Sequence, residues 1–222
     1  MNDQRAELIA GLAANAKTVP RAGRTGHLTL TWLVFAAATA LTALLLHAPA
    51  TIFRGPLLWQ SGQFLLESVL GVAAIVTLGA AAFRAGIPAV PSRTALLLPL
   101  LPLAAWLGIH VVGLWHPTFE ASMAGKRLHC WLEVLACGLP GLVLGCFAIR
   151  RWLWPLRGAR TGAWLGFASG AIPALAMQFI CIHEPQHILA FHLGPMLVLG
   201  LVGAVAGARV LQRPGVLARE RR

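Results

Sequence analysis

The residues of this chain best suited to chemistry are cysteines and histidines at the ends of apolar segments. Cys130 opens one such segment and Cys181 closes the next, so both side chains are predicted to lie at the same end of a helical bundle. Cys137 and Cys146 lie about 10 Å and about 24 Å further along the helix that Cys130 begins. Both are interpreted as small apolar packing residues. Cys130 and Cys181 can therefore form a disulfide in an oxidising compartment or bind a metal as thiolates.

Further metal donors surround this cysteine pair in the sequence. They are His129, Glu133, His183, Glu184, His187 and His192. Soft sulfur combined with imidazole favours Zn, Cd or Cu over Mg or Ca. The sequence therefore predicts a sensory site that takes a thiophilic metal or undergoes oxidation, with no resident cofactor firmly indicated.

The stretch from His183 to His187 also fits H-E-x-x-H, the zinc-protease pattern that requires two histidines on one helix. Here Pro185 interrupts a tight connection between two apolar segments. The stretch is interpreted as donors of the sensory site, and no catalytic residue is predicted.

Six apolar segments must position these groups. They cover residues 28–47, 62–82, 95–115, 130–149, 161–181 and 187–208. Each has about the 20 residues that a helix needs to span a bilayer. The predicted fold is an all-α bundle of six transmembrane helices at 28–208, with an arm at 1–27 and a basic tail at 209–222. Pro99 and Pro102 predict a kink in the third segment.

The basic residues predict how this bundle is oriented. Of the 18 lysines and arginines, all except Arg54, Lys126 and Arg127 fall in the arm, the tail and the even-numbered loops. By the positive-inside rule both termini are cytoplasmic, which makes the chain a multi-pass protein of a bacterial inner membrane. The same rule accounts for the net charge of +11, so direct binding of nucleic acid is not predicted.

Polar and small residues inside the segments suggest further roles. Glu67 and Glu133 are carboxylates within predicted spans. Ionisable residues in membrane spans are rare and usually functional, so a functional role is predicted for both. Glu67 lies about five residues inside its span and can also reach the membrane interface. Gly162, Gly166 and Gly170 allow close helix packing, either within the chain or in a homodimer.

The arm carries a short apolar stripe formed by Leu8, Ile9 and Leu12. A brief amphipathic helix there could bind a partner, or it could lie on the membrane surface.

Four stretches of the chain resemble the NrsF-type anti-sigma factors. They are the arm with Leu8, Ile9, Leu12 and Val19; the Phe64–Glu67 stretch; residues 123–130, which end in Cys130; and the turn from Cys181 to His192. The resemblance implies a six-span inner-membrane protein that holds an extracytoplasmic-function sigma factor inactive. It also implies that Cys130 and Cys181 respond to heavy metals or oxidative stress, while the cytoplasmic face and the arm bind the sigma factor. His183 and His187 are additions to the family pattern.

Two alternative functions remain open from the sequence. A membrane thiol-redox enzyme would need a second, shuttling cysteine pair. A metal transporter would need donors that continue through the core towards the cytoplasm.

Overall fold

The computed structural model describes residues 2–14, 24–47, 61–88, 92–116, 129–181 and 184–211. Within these ranges the chain is helical and contains no strand. The helices are α1 (Asn2–Ala14), α2 (Thr25–His47), α3 (Gly62–Arg84), α4 (Arg93–Leu97), α5 (Leu100–Gly113), α6 (Cys130–Trp152), α7 (Gly158–Ile180) and α8 (Pro185–Leu211).

Five of these helices, α2, α3, α6, α7 and α8, are long and apolar enough to cross a membrane. The third predicted segment is instead divided into α4 and α5, with Leu98 and Pro99 between them. Proline lacks the N–H donor, and its ring clashes with the carbonyl four residues earlier, so the helix is interrupted where a kink was predicted. The 14 residues of α5 extend about 21 Å, less than the hydrocarbon thickness of about 30 Å.

The most deeply buried long helix is α7. Of its most apolar window, 72% is buried inside the protein, compared with 28–44% for the other four long helices. It packs against α3, α6 and α8. On the α2 side of the bundle, the Trp32 indole N–H donates to the carbonyl oxygen of Gly141 over 2.7 Å, which fastens α2 to α6.

Glycines bring the backbones of α7 and α8 into direct contact. A Cβ atom on Gly162 would collide with the carbonyl oxygen of Gly203, and one on Gly166 would collide with that of Leu199. We call this contact the glycine seam (Gly162, Gly166 and Gly170 of α7 against residues 196–207 of α8). Packing within the chain therefore accounts for these glycines.

The bundle has two chemically different ends. The cysteine end contains Cys130 and Cys181, and the arginine end contains Arg84, Arg150 and Arg160. At the arginine end, the connection from α6 to α7 is attached to the end of α3, because the Trp154 N–H donates to the Gly86 carbonyl oxygen over 2.7 Å.

Candidate metal and redox site

The two cysteines at the cysteine end lie in contact. Cys130 is the first residue of α6, and Cys181 directly follows the last residue of α7. Their Sγ atoms are 3.4 Å apart, and both side chains are buried. Since a disulfide has an S–S distance of about 2.05 Å, the sulfurs need to approach by about 1.4 Å to form one.

Two histidines of α8 complete a cluster of possible ligands. The Nε2 atom of His187 lies 3.3 Å from Cys181 Sγ. Its ring stacks on Phe191 with centroids 4.9 Å apart, and the His192 ring meets it edge-on at 5.1 Å. One donor atom from each of four buried residues lies within 4.8 Å of all the others: Cys130, Cys181, His187 and His192. We call these residues the four-donor cluster.

A π-helical segment explains how two histidines five residues apart face the same site. In an α-helix such residues point about 140° apart. Residues Ile188–Leu193 form a π-helix instead, whose wider turn has hydrogen bonds between residues five apart. His187 and His192 are thereby brought to one side of α8. Pro185 occupies the first turn, where its missing N–H does no harm.

The geometry of the four-donor cluster fits a tetrahedral metal site. Zn–S bonds of about 2.3 Å and Zn–N bonds of about 2.0 Å place neighbouring ligand atoms about 3.3–3.8 Å apart. Two separations here, 3.4 Å for sulfur to sulfur and 3.3 Å for sulfur to nitrogen, are already close to that range. Because the longest reaches 4.8 Å at most, a contraction of about 1 Å would complete the site. Sulfur and imidazole donors suit zinc, cadmium or copper.

The other predicted ligands are not members of the four-donor cluster. His129 is exposed just before α6, and Glu133 is half-buried one turn into that helix. Glu184 is half-buried just before α8. His183 lies outside the described residues, as does Val19 of the predicted partner-binding set.

Glu67 belongs to a second buried group, which lies inside the bundle. Its Oε1 atom accepts a hydrogen bond of 2.8 Å from the Gln63 amide and lies 3.8 Å from His110 Nδ1. The other His110 nitrogen is 3.0 Å from the Gln178 amide nitrogen. Glu67, His110 and Gln178 are at most 1% exposed, and they connect α3, α5 and α7.

Sequence reasoning did not identify His110 or Gln178 as part of a site. Both are polar residues inside apolar segments, and polar residues in such segments rarely face lipid. Their polarity was therefore the available signal. Gln178 precedes Cys181 by three residues, so this polar group lies about one turn of α7 from the four-donor cluster.

The predicted partner-binding face lies on α1. Leu8 and Ile9 are 63% and 65% exposed there. Leu12 belongs to the same helix.

Comparison with known proteins identifies a family for this chain. Residues 12–212 match a family described as NrsF, negative regulator of sigma F. No curated protein and no solved structure matches the chain. The matched range includes both cysteines, both histidines of the four-donor cluster and all of the long apolar helices. The chain therefore belongs to the NrsF family, the negative regulators of a sigma factor.

Proposed function

We propose that this protein is an anti-sigma factor of the bacterial inner membrane that holds an extracytoplasmic-function sigma factor inactive. It releases the sigma factor when a heavy metal or an oxidant reaches the periplasmic cysteine end. The observation that carries this proposal is the contact between Cys130 and Cys181, with His187 and His192 beside them. In this proposal α4 and α5 together form one span, the third of six along the chain. The distribution of basic residues supports cytoplasmic termini. The start of α2 and the end of α8 lie at the arginine end, which is the cytoplasmic end in this proposal.

Metal binding suits the buried position of the four-donor cluster. A bare charge in an apolar interior is strongly disfavoured. A divalent cation with two thiolates is neutral overall, and its binding would release the two thiol protons. When bound, the metal would link the ends of α6, α7 and α8.

Oxidation would act on the same two sulfur atoms. Cys130 and Cys181 would lose two electrons and two protons to a two-electron oxidant such as diamide, and an S–S bond would form. The approach of the sulfurs would draw the first turn of α6 towards the end of α7.

Both events could change the arginine end, because α6 and α7 extend from one end to the other. The 23 residues of α7 span about 34 Å. Its glycine seam leaves no free space between the α7 and α8 backbones, so displacement at one end favours rigid movement over local deformation. To change the ratio of the releasing state to the resting state from 1:99 to 99:1, the signal must stabilise the releasing state over the resting state by about 5.5 kcal/mol.

Two alternative functions receive less support. A thiol-redox enzyme would need a second cysteine pair, but Cys137 and Cys146 lie nine residues apart on α6, about 13 Å. That separation is too long for a disulfide. A transporter would need a second set of metal donors deeper in the bundle. Within the described ranges, the four-donor cluster is the one group of three or more histidine, cysteine, aspartate or glutamate side chains that could hold a metal ion.

The sensory proposal is tested with a reporter gene driven by the cognate sigma factor. We expect Cys130→Ser and Cys181→Ser each to abolish induction by cadmium or diamide while basal repression stays intact. The double variant should be no worse than either single variant, since a two-sulfur site fails when one sulfur is lost.

Cys146→Ser is the matched control, because this half-buried thiol lies far along α6 from the site. It should respond as the wild type does. Equal induction of the wild type and the double cysteine variant would exclude sensing at these residues.

A further inference from the structure

A cleft opens at the arginine end, between α3, the α4–α5 break and the start of α7. Its volume is about 350 Å³, towards the lower limit of about 300–1,000 Å³ that is usual for small-molecule pockets. Its walls are mostly apolar and include Val76, Leu98 and Trp164. Val76 and Leu98 are 46% and 50% exposed, so the cleft has an apolar outer rim on the surface of the bundle.

Two arginines also line this apolar cleft. Arg84 ends α3 and is exposed, whereas Arg160 lies in the first turn of α7 and is half-buried. The Nε atom of Arg160 is buried and has no hydrogen-bond partner among the described residues. A buried donor of this kind favours an acceptor from outside the protein.

Within α2 to α8, the described residues supply no carboxylate close to these two guanidinium groups. Between Glu7 and Glu220 the acidic residues are Glu67, Glu120, Glu133 and Glu184. Among the described residues of α2 to α8, the carboxylates all lie towards the cysteine end. The N-terminal end of α7 adds a positive partial charge beside Arg160.

We propose that this cleft binds the headgroup of an anionic phospholipid, such as phosphatidylglycerol, from the leaflet at the arginine end. Arg84 and Arg160 would bind the phosphate, and Trp164 would lie at the level of the headgroup, where tryptophan is enriched. The first part of an acyl chain would follow the apolar wall past Val76 and Leu98. Basic pockets between transmembrane helices are known to take anionic headgroups.

The test uses the full chain in detergent and native mass spectrometry with phosphatidylglycerol and phosphatidylcholine of identical acyl chains. The wild type should retain phosphatidylglycerol preferentially. Arg84→Gln and Arg160→Gln should each weaken its binding about fivefold, and the double variant about 30-fold. Arg151→Gln is the matched control, because it removes an exposed arginine at the same end but outside the cleft. It should bind within about twofold of the wild type.

Arg160→Lys keeps the charge and should restore most of the binding, and size-exclusion elution should show that each variant is folded. Equal retention of both lipids, or unchanged binding by the folded double variant, would overturn the proposal. Displacement of the lipid by millimolar inorganic phosphate would also contradict it and assign the cleft to a free anion. A loss of sigma-factor capture in the double variant with lipid retention unchanged would assign the arginines to the protein partner instead.

Discussion

At the scale of single residues, the Cys181 sulfur contacts both Cys130 and His187. The same atom could therefore serve as a metal ligand or as half of a disulfide. These states exclude one another, because a disulfide sulfur lacks the negative charge that makes a thiolate a strong ligand. A bound metal should in turn protect the pair from oxidation.

The histidines should distinguish the two kinds of signal. We expect His187→Ala and His192→Ala to weaken zinc or cadmium binding by at least about tenfold, since even residues outside the first coordination sphere contribute that much. Disulfide formation with diamide should persist, because imidazole takes no part in the S–S bond. Competition with a zinc-binding dye and thiol counting on the purified chain measure the two properties.

His129→Ala is the control for these variants, because His129 adjoins Cys130 but is exposed and outside the four-donor cluster. Equal zinc affinity in His129→Ala, His187→Ala and the wild type would remove His187 from the proposed ligands.

The sequence predicted part of this site. The ends of two apolar segments were enough to place Cys130 and Cys181 at one end of the bundle. The positions of His187 and His192 depend on a π-helical segment, for which no residue pattern was available. The burial of Glu67 depends on contacts with other helices, which the position of Glu67 along α3 does not specify.

At the scale of the helices, the glycine seam is the tightest feature of the bundle. Without a hydrophobic force between helices in lipid, close backbone packing stabilises their association. Any side chain on Gly162 or Gly166 would meet backbone atoms, which cannot move aside as a flexible side chain can.

Gly166→Ala should therefore destabilise the protein by about 1–3 kcal/mol or more, because its Cβ would collide with the Leu199 carbonyl oxygen. Gly108→Ala on α5 is the control, since its Cβ would have no neighbour within 4 Å. This change should be neutral or should stabilise the helix by up to about 1 kcal/mol. Thermal unfolding in detergent, followed by circular dichroism, compares the two. A lower unfolding temperature for Gly108→Ala than for Gly166→Ala would contradict the packing described here.

Helix boundaries were largely predictable from hydropathy. The five long helices begin and end within three residues of the predicted segments, because in a bilayer apolar length determines the span. The third segment differs, since Pro99 divides it and leaves α5 too short to be recognised as a span by length alone. The sequence predicted a distortion there but not a complete break between two helices.

At the scale of the whole molecule, the four-donor cluster lies at the cysteine end, whereas the proposed partner surface is on α1, which precedes α2 in the chain. The exposed apolar residues Leu8 and Ile9 of α1 are the best candidates for contact with the sigma factor. Burial of such apolar anchors commonly dominates the binding energy of an interface.

Leu8→Asp/Ile9→Asp should reduce capture of the sigma factor by about tenfold or more, because the apolar contact is replaced by charge. Ala10→Asp/Ala14→Asp is the matched control, since it adds the same charge to exposed positions on the opposite face of α1. Capture from native membranes by tagged protein, quantified by mass spectrometry, measures the effect. If both double variants capture equally well, the interface lies elsewhere, with the loops at 84–93 and 150–160 as the next candidates.

The burial of Cys130 and Cys181 also affects how long a signal would last. Reduction of a disulfide requires a thiolate to reach one sulfur in line with the bond, and these side chains are 0% and 6% exposed. Small oxidants could enter where glutathione or a reducing protein could not. A disulfide formed at this site would therefore persist after the oxidant has gone, and the protein would retain a memory of the exposure until the bundle opened or was replaced by new synthesis.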